Sequence, residues 1–143
     1  MINKTKILLI DDEEDFCFFV KKNLEETGDF SVIYTTNPNK AMRLARKESP
    51  DLILMDIKMP RRDGFKVLEA IKKDRKTLAI PVVMLTAVGE EEAKIKAAQL
   101  YNDDYLTKPV SVEALRFKID AILKRGRGIY SETIPEEKDT AIS

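Results

Sequence analysis

The stretch DLILMDIKMPRRDGF, residues 51–65, decides the fold. Its centre, Leu52–Met55, is an unbroken apolar run that ends on Asp56. A half-solvated strand alternates apolar with polar side chains, whereas a short continuous run bounded by polar residues reads as a strand covered on both faces. Beyond it, Gly64 opens a segment with Phe65, Leu68 and Ile71 at helical spacing. A buried strand ending on an acid and passing through a polar loop into a helix is the unit from which the rest is read.

Outward from this unit the same alternation continues. Further runs rich in branched residues lie at Lys6–Ile10, Ser31–Thr35, Pro81–Leu85 and Tyr105–Leu106. The first and fourth of the five runs are as continuous as Leu52–Met55, so these three predict central strands, while SVIYT and the short fifth run read as edges. Between them Phe16, Phe19, Val20 and Leu24 recur at helical spacing, with Gly28 as a stop. Asn37-Pro38 reads as a cap and first-turn proline for a helix through Ala41, Met42, Leu44 and Ala45. A fourth helix is expected over Glu90–Leu100, its acidic first turn suiting the positive end of the helix dipole. Ser111 caps a fifth that buries Leu115, Ile119, Ile122 and Leu123. The order strand–helix repeated five times predicts an α/β fold, a doubly wound five-stranded parallel sheet with helices on both faces. Ligands of such sheets bind in the crevice at the carboxyl ends of the strands.

Size and composition narrow the function classes. The 143 residues fit one domain, read here as 4–125, with 126–143 as a flexible tail or the start of a linker. Lys and Arg total 25 and Asp and Glu total 25, so overall charge favours neither nucleic acid nor membrane. No apolar run approaches the roughly 20 residues of a membrane helix. The N-terminal apolar run passes straight into two acids, unlike a secretory signal, and a lone Cys17 fits a reducing compartment; a cytoplasmic location is expected. Cys17 itself reads as a small apolar core residue. The chain has no His, so any imidazole chemistry must come from another molecule.

The unusual polar residues fall at strand ends. Asp11 and Asp12 follow the first run, Asp56 ends the third, Thr86 follows the fourth, and Lys108 follows the fifth. The predicted topology brings all of them to one edge of the sheet. Three carboxylates gathered there resist ionising without compensation. A hard divalent cation with oxygen ligands, Mg2+ in particular, offsets that repulsion and neutralises an incoming phosphoryl group. With an ammonium and a hydroxyl beside them, these residues form a set suited to phosphoryl transfer onto a carboxylate.

The motifs ILLIDDEEDF (7–16), PDLILMDIKMPRRDGF (50–65), PVVMLTA (81–87) and DDYLTKPV (103–110) together resemble the receiver domains of bacterial response regulators in two-component signalling. The resemblance spans roughly residues 4–125. It implies the flavodoxin-like strand order 2-1-3-4-5 and a phosphoryl-accepting switch rather than an enzyme acting on a separate substrate, with slow autodephosphorylation. Residue by residue, it implies Asp56 as phospho-acceptor, and Asp11, Asp12, Asp56 and the backbone carbonyl of Lys58 as ligands of Mg2+ (or Mn2+). Lys108 would pair with the acceptor, ahead of a cis bond to Pro109. Thr86 and Tyr105 would form the switch, altering the surface of the fourth helix, fifth strand and fifth helix near Lys94, Tyr101, Tyr105 and Arg116. The implied partners are a sensor histidine kinase or histidine phosphotransfer protein and a downstream protein target, with no direct nucleic acid and no membrane.

Two departures stand out. Tyr101-Asn102 occupies a place where the family commonly has Gly-Ala, and Lys58 and Val88 occupy positions whose side chains, in members of the family this chain resembles, tune hydrolysis of the acyl phosphate. A haloacid-dehalogenase-type phosphatase would need a second acid two residues after the nucleophile, where this chain has Lys58. A dinucleotide-binding protein would need a glycine-rich turn after the first strand, and none is present. A pseudo-receiver acting without phosphorylation is disfavoured by the full acidic set. The last segment shows no helix-turn-helix pattern, so a stand-alone regulator is expected over a fragment of a longer one.

Overall fold

In the computed structural model, which describes residues 3–59, 63–87 and 104–126, five parallel strands form one sheet in the order β2-β1-β3-β4-β5. They are β1 (Thr5–Ile10), β2 (Phe30–Thr35), β3 (Leu52–Asp56), β4 (Val82–Thr86) and β5 (Asp104–Thr107). The three continuous apolar runs are the central strands and the two weaker ones are the edges. Each strand extends the expected run by a residue or two at one or both ends, or slides by one, because pairing also recruits flanking polar residues such as Asp56 opposite Leu85 and Thr86 opposite Thr107.

The central strands explain their own composition. Ile7 and Leu9 of β1 and Leu52 and Leu54 of β3 pack with α1 (Glu14–Glu26) and the C-terminal helix (Val112–Gly126). The alternate residues Leu8, Ile10, Ile53 and Met55 pack with α2 (Ala41–Glu48) and α3 (Gly64–Lys73) on the other face. Side chains alternate across a strand, so only an unbroken apolar run can serve two cores. Leu115, Ile119, Ile122 and Leu123 are buried as the periodicity of the last helix predicts.

Several local expectations need correction. In α1 the inward face is Cys17, Val20 and Leu24, with Phe16 at its margin, whereas Phe19 stays 46% exposed. The smaller Cys17 takes the place against the sheet. Asn37 does cap, accepting from the N–H of Asn39 at 2.9 Å, but it opens a 3-10 turn over Pro38–Lys40 before α2 begins. Gly28 follows α1 with a φ of +87°, the left-handed conformation that favours glycine. The C-terminal helix runs one residue past the expected end of the domain, to Gly126; the rest of the tail, and the helix expected over Glu90–Leu100, lie outside the described residues. Among the described residues no helix is long and apolar enough to cross a membrane.

Candidate functional site

The strand ends meet as the topology requires. Pairing puts β1, β3 and β4 side by side in parallel, so Asp11, Asp56 and Thr86 leave the sheet along one edge. Two local devices hold the acids in place. The Asp11 N–H donates to the Thr35 carbonyl at 3.2 Å, and its Oδ1 accepts from the Glu13 N–H at 2.9 Å, which turns the chain into α1. Behind Asp56, Gly64 presses so close that a Cβ there would lie 2.5 Å from the Asp56 carbonyl oxygen and 2.8 Å from the Ile57 Cα. Only glycine fits, and its N–H donates to the Ile57 carbonyl at 2.9 Å. Asp63 caps α3 by accepting from the Phe65 N–H at 2.9 Å, and the loop closes through a bridge between Lys58 and Asp63.

One carboxylate oxygen from each of Asp11, Asp12 and Asp56 lies within 4.8 Å of the others. A cleft of about 250 Å³, lined by Asp12, Glu13, Asp56, Ile57, Lys58, Ala87 and Lys108, opens onto them. Asp11 lies fully buried beside these acids, with its Oδ2 accepting from Lys108 Nζ at 2.7 Å. The same ammonium lies 3.3 Å from Glu13 Oε1 and 3.9 Å from Asp56 Oδ1. It also sits 4.4 Å from the centre of the Phe16 ring.

The protonation equilibria follow from this crowding. Burial, then the charge of Asp11, pushes the Asp56 carboxyl up to about 7, with Asp12 adding to the rise and Lys108 opposing it. Burial also raises Asp11, against the pull of its bond to Lys108. For Lys108 burial favours the neutral amine, but the bond to Asp11 and the charges of Asp11 and Asp56 outweigh it and hold the ammonium. Three carboxylates facing one ammonium leave negative charge in surplus. Around Mg2+ adjacent oxygens stand about 3.0 Å apart and opposite ones about 4.2 Å, given bonds of about 2.1 Å, so a trio within 4.8 Å is gathered closely enough to hold the ion once the side chains draw in around it. The cleft leaves room for the waters that Mg2+ retains.

The structure thus brings together Asp11, Asp12, Asp56, Lys58 and Lys108. Thr86, 1% exposed, ends β4 at the same edge, and its hydroxyl donates to the Ala87 carbonyl at 2.9 Å. Tyr105 is half-buried in β5, opposite Met84 and against the α2–α3 core. The Lys108–Pro109 bond is cis. Lys108 differs from expectation in its nearest partner, which is Asp11 and not Asp56. Sequence reasoning missed Glu13 and Phe16 at the ammonium. The available signal was position: Glu13 follows the acid pair directly, and Phe16 falls in the first turn of the helix that comes next. Val88, Lys94, Tyr101 and Asn102 lie outside the described residues, whereas Arg116 is described, 3.6 Å from Asp29.

Comparison with known proteins agrees with this geometry. The family model described as the response regulator receiver domain matches residues 7–120. The alkaline phosphatase synthesis transcriptional regulatory protein PhoP of Bacillus subtilis is 38% identical over 84% of this chain and 49% of its own length. The DNA-binding dual master transcriptional regulator RpaA of Synechocystis is 40% identical over the same shares. A solved two-component response regulator from Clostridium difficile is 34% identical, with a TM-score of 0.75 over 85% of this chain and 98% of that one. A receiver domain protein from Clostridium thermocellum is 31% identical, with a TM-score of 0.77 over 87% and 98%. The chain spans about half the length of the curated relatives. Those relatives correct one expectation: a partner set without nucleic acid does not describe a group of regulators that includes one named as DNA-binding. Charge balance misled because it describes this chain, whereas these relatives extend over twice the matched length. With its five-stranded order, its acid-lined cleft and a family match across residues 7–120, the chain belongs to the response regulator receiver domains.

Proposed function

We propose that Asp56 accepts a phosphoryl group from the phosphohistidine of a sensor kinase or phosphotransfer protein, and that the acceptance switches the surface around β5 and the C-terminal helix. The observation that carries this reading is the trio of carboxylate oxygens within 4.8 Å, with one ammonium 2.7 Å from Asp11 and 3.9 Å from Asp56, beside an open cleft. The imidazole must come from the partner, since this chain has no His.

The carboxylates of Asp11, Asp12 and Asp56 and the carbonyl of Lys58 would hold Mg2+ or Mn2+. Bound there, the ion supplies positive charge for the phosphoryl oxygens in transfer. Asp56 must be ionised to attack, so whatever lowers its carboxyl from about 7 increases the reactive fraction. A carboxylate oxygen of Asp56 bonds to phosphorus as the phosphorus–nitrogen bond of the donor breaks, and that electron pair returns to the imidazole. Lys108 stabilises the charge on the transferring group.

The acyl phosphate brings two negative charges and new acceptor oxygens. Thr86 then exchanges its bond to the Ala87 carbonyl for one to the phosphoryl group, and Tyr105 turns further inward. Such differential contacts, worth a few kcal/mol, reverse a two-state preference. Slow hydrolysis of the acyl phosphate resets the switch. Residues 4–125 form the receiver unit, and the relatives' names point to control of transcription as the process its surface governs.

The test is intact mass after incubation with Mg2+ and a small acyl phosphate. One phosphoryl group on the wild type, and none on Asp56→Asn or in chelator, is the expected result. Equal labelling of wild type and variant would overturn the assignment.

A further inference from the structure

We propose that Phe16 is a positioning residue for Lys108, its ring guiding the ammonium between the buried acid and the phosphoryl group; this rests on the phospho-acceptor reading above. Phe16 lies in the first turns of α1, half-buried against the core formed with the sheet and the C-terminal helix. Its ring centre is 4.4 Å from Lys108 Nζ, within cation–π range.

A lysine needs such a neighbour here. Its charge is compact and sits on a flexible four-carbon stem, so a hydrogen bond alone fixes it weakly. The short bond of Lys108 is to Asp11 at 2.7 Å, whereas Asp56 Oδ1 is 3.9 Å away. The other acid in reach is Glu13, at 3.3 Å, whose side chain is 64% exposed and draws the ammonium toward solvent. To serve a phosphoryl group on Asp56, Nζ must move off Asp11 without swinging out to Glu13. Attraction to the face of a ring has no single acceptor atom, so the ammonium can slide across it while keeping most of the interaction. The ring also excludes water from part of the ammonium's surroundings, which strengthens its attraction to the phosphoryl oxygens. Phe16 meets the cation through the face of its ring and acts through Lys108.

The experiment compares Phe16→Leu and Phe16→Met, which keep apolar volume without a ring, with Phe16→Tyr, which keeps the ring. Rates of labelling by a small acyl phosphate at saturating Mg2+ should fall about threefold to tenfold in Leu and Met and recover in Tyr. Mg2+ affinity should stay unchanged, separating a positioning role from general damage to the acidic cluster. Proton signals of the Lys108 terminal methylene should be shifted upfield by the ring current in wild type and Tyr, and return to ordinary values in Leu and Met. Equal labelling rates in wild type, Leu and Met, or unshifted Lys108 signals in wild type, would overturn the role of Phe16. A wild type that takes no phosphoryl group would sink the parent reading, and this role in transfer with it.

Discussion

Helix α1 has an acid–lysine group near each end. Toward its C-terminal end, Lys21 and Glu25 pair at 3.0 Å, and each also bonds the edge strand β2. Lys21 Nζ donates to the Val32 carbonyl at 2.7 Å, and Glu25 Oε2 accepts from the Val32 N–H at 2.8 Å. Charge is matched one to one, and an outward peptide of an edge strand is satisfied, as edge strands require. Burial works against the Glu25 carboxylate, but the Val32 N–H and the Lys21 ammonium outweigh it and hold its carboxyl below the ordinary range. At the N-terminal end four acids, Asp11, Asp12, Glu13 and Asp56, gather around one lysine, and Asp56 is pushed up to about 7. Similar side chains give opposite outcomes because one group is balanced and the other is not. The balanced group ties α1 to the edge strand, and the unbalanced one carries surplus negative charge that a cation could offset.

Breaking the cation of each group should sharpen the contrast. Lys108→Met leaves the buried Asp11 and its neighbours without compensation. We expect it to lose about 3 kcal/mol of stability without metal, read by urea unfolding. Phosphoryl uptake should slow by roughly a hundredfold or more, read by intact mass over time.

The surplus charge should also appear as a pH dependence of opposite sign to the usual carboxylate case. For Asp56 the folded value, about 7, lies above the ordinary 3.8, so between them the folded state binds more protons than the unfolded one. Metal-free stability from this group therefore declines as pH rises from 3.8 to about 7. Asp56→Asn should remove that decline and stabilise the metal-free protein at about pH 8 by on the order of 2 kcal/mol. A variant no more stable than wild type in urea unfolding at that pH would contradict the charge assignment.

The smallest effect belongs to the balanced group. Lys21→Met should cost about 1 kcal/mol or less, since the pair is partly exposed and one hydrogen bond to Val32 is lost. Its phosphoryl uptake should match wild type in the same mass assay. A large loss of uptake would mean that the two ends of α1 are not independent.

Much of this was legible before coordinates. Unbroken runs such as Ile7–Ile10 and Leu52–Met55 announce central strands because a strand serving two cores cannot carry polar residues on either face. Once the strands were placed, the positions of Asp11, Asp12, Asp56, Thr86 and Lys108 at one edge followed from parallel topology. What stayed hidden depends on rotation and reach. Phe19 stands one residue before Val20, turned by about 100° around the helix, and Cys17 fills the inward place instead. Lys108 has a long stem, and spacing alone does not say that its nearest acid is Asp11 at 2.7 Å. Glu13 and Phe16 reach the ammonium from the start of α1, a contact between segments 95 residues apart in the case of Glu13. The partner expectation failed for a different reason: the charge of this chain carries no information about what the longer relatives do with the rest of their length.

The most direct measurement of the central claim is thermal unfolding through a Mg2+ titration at about pH 8, in wild type and in Asp12→Asn. If surplus carboxylate charge at the strand ends forms the metal site, the wild-type midpoint climbs steadily with Mg2+ while that of the variant climbs far less. A wild-type midpoint that ignores the metal, or equal gains in both proteins, would contradict the account.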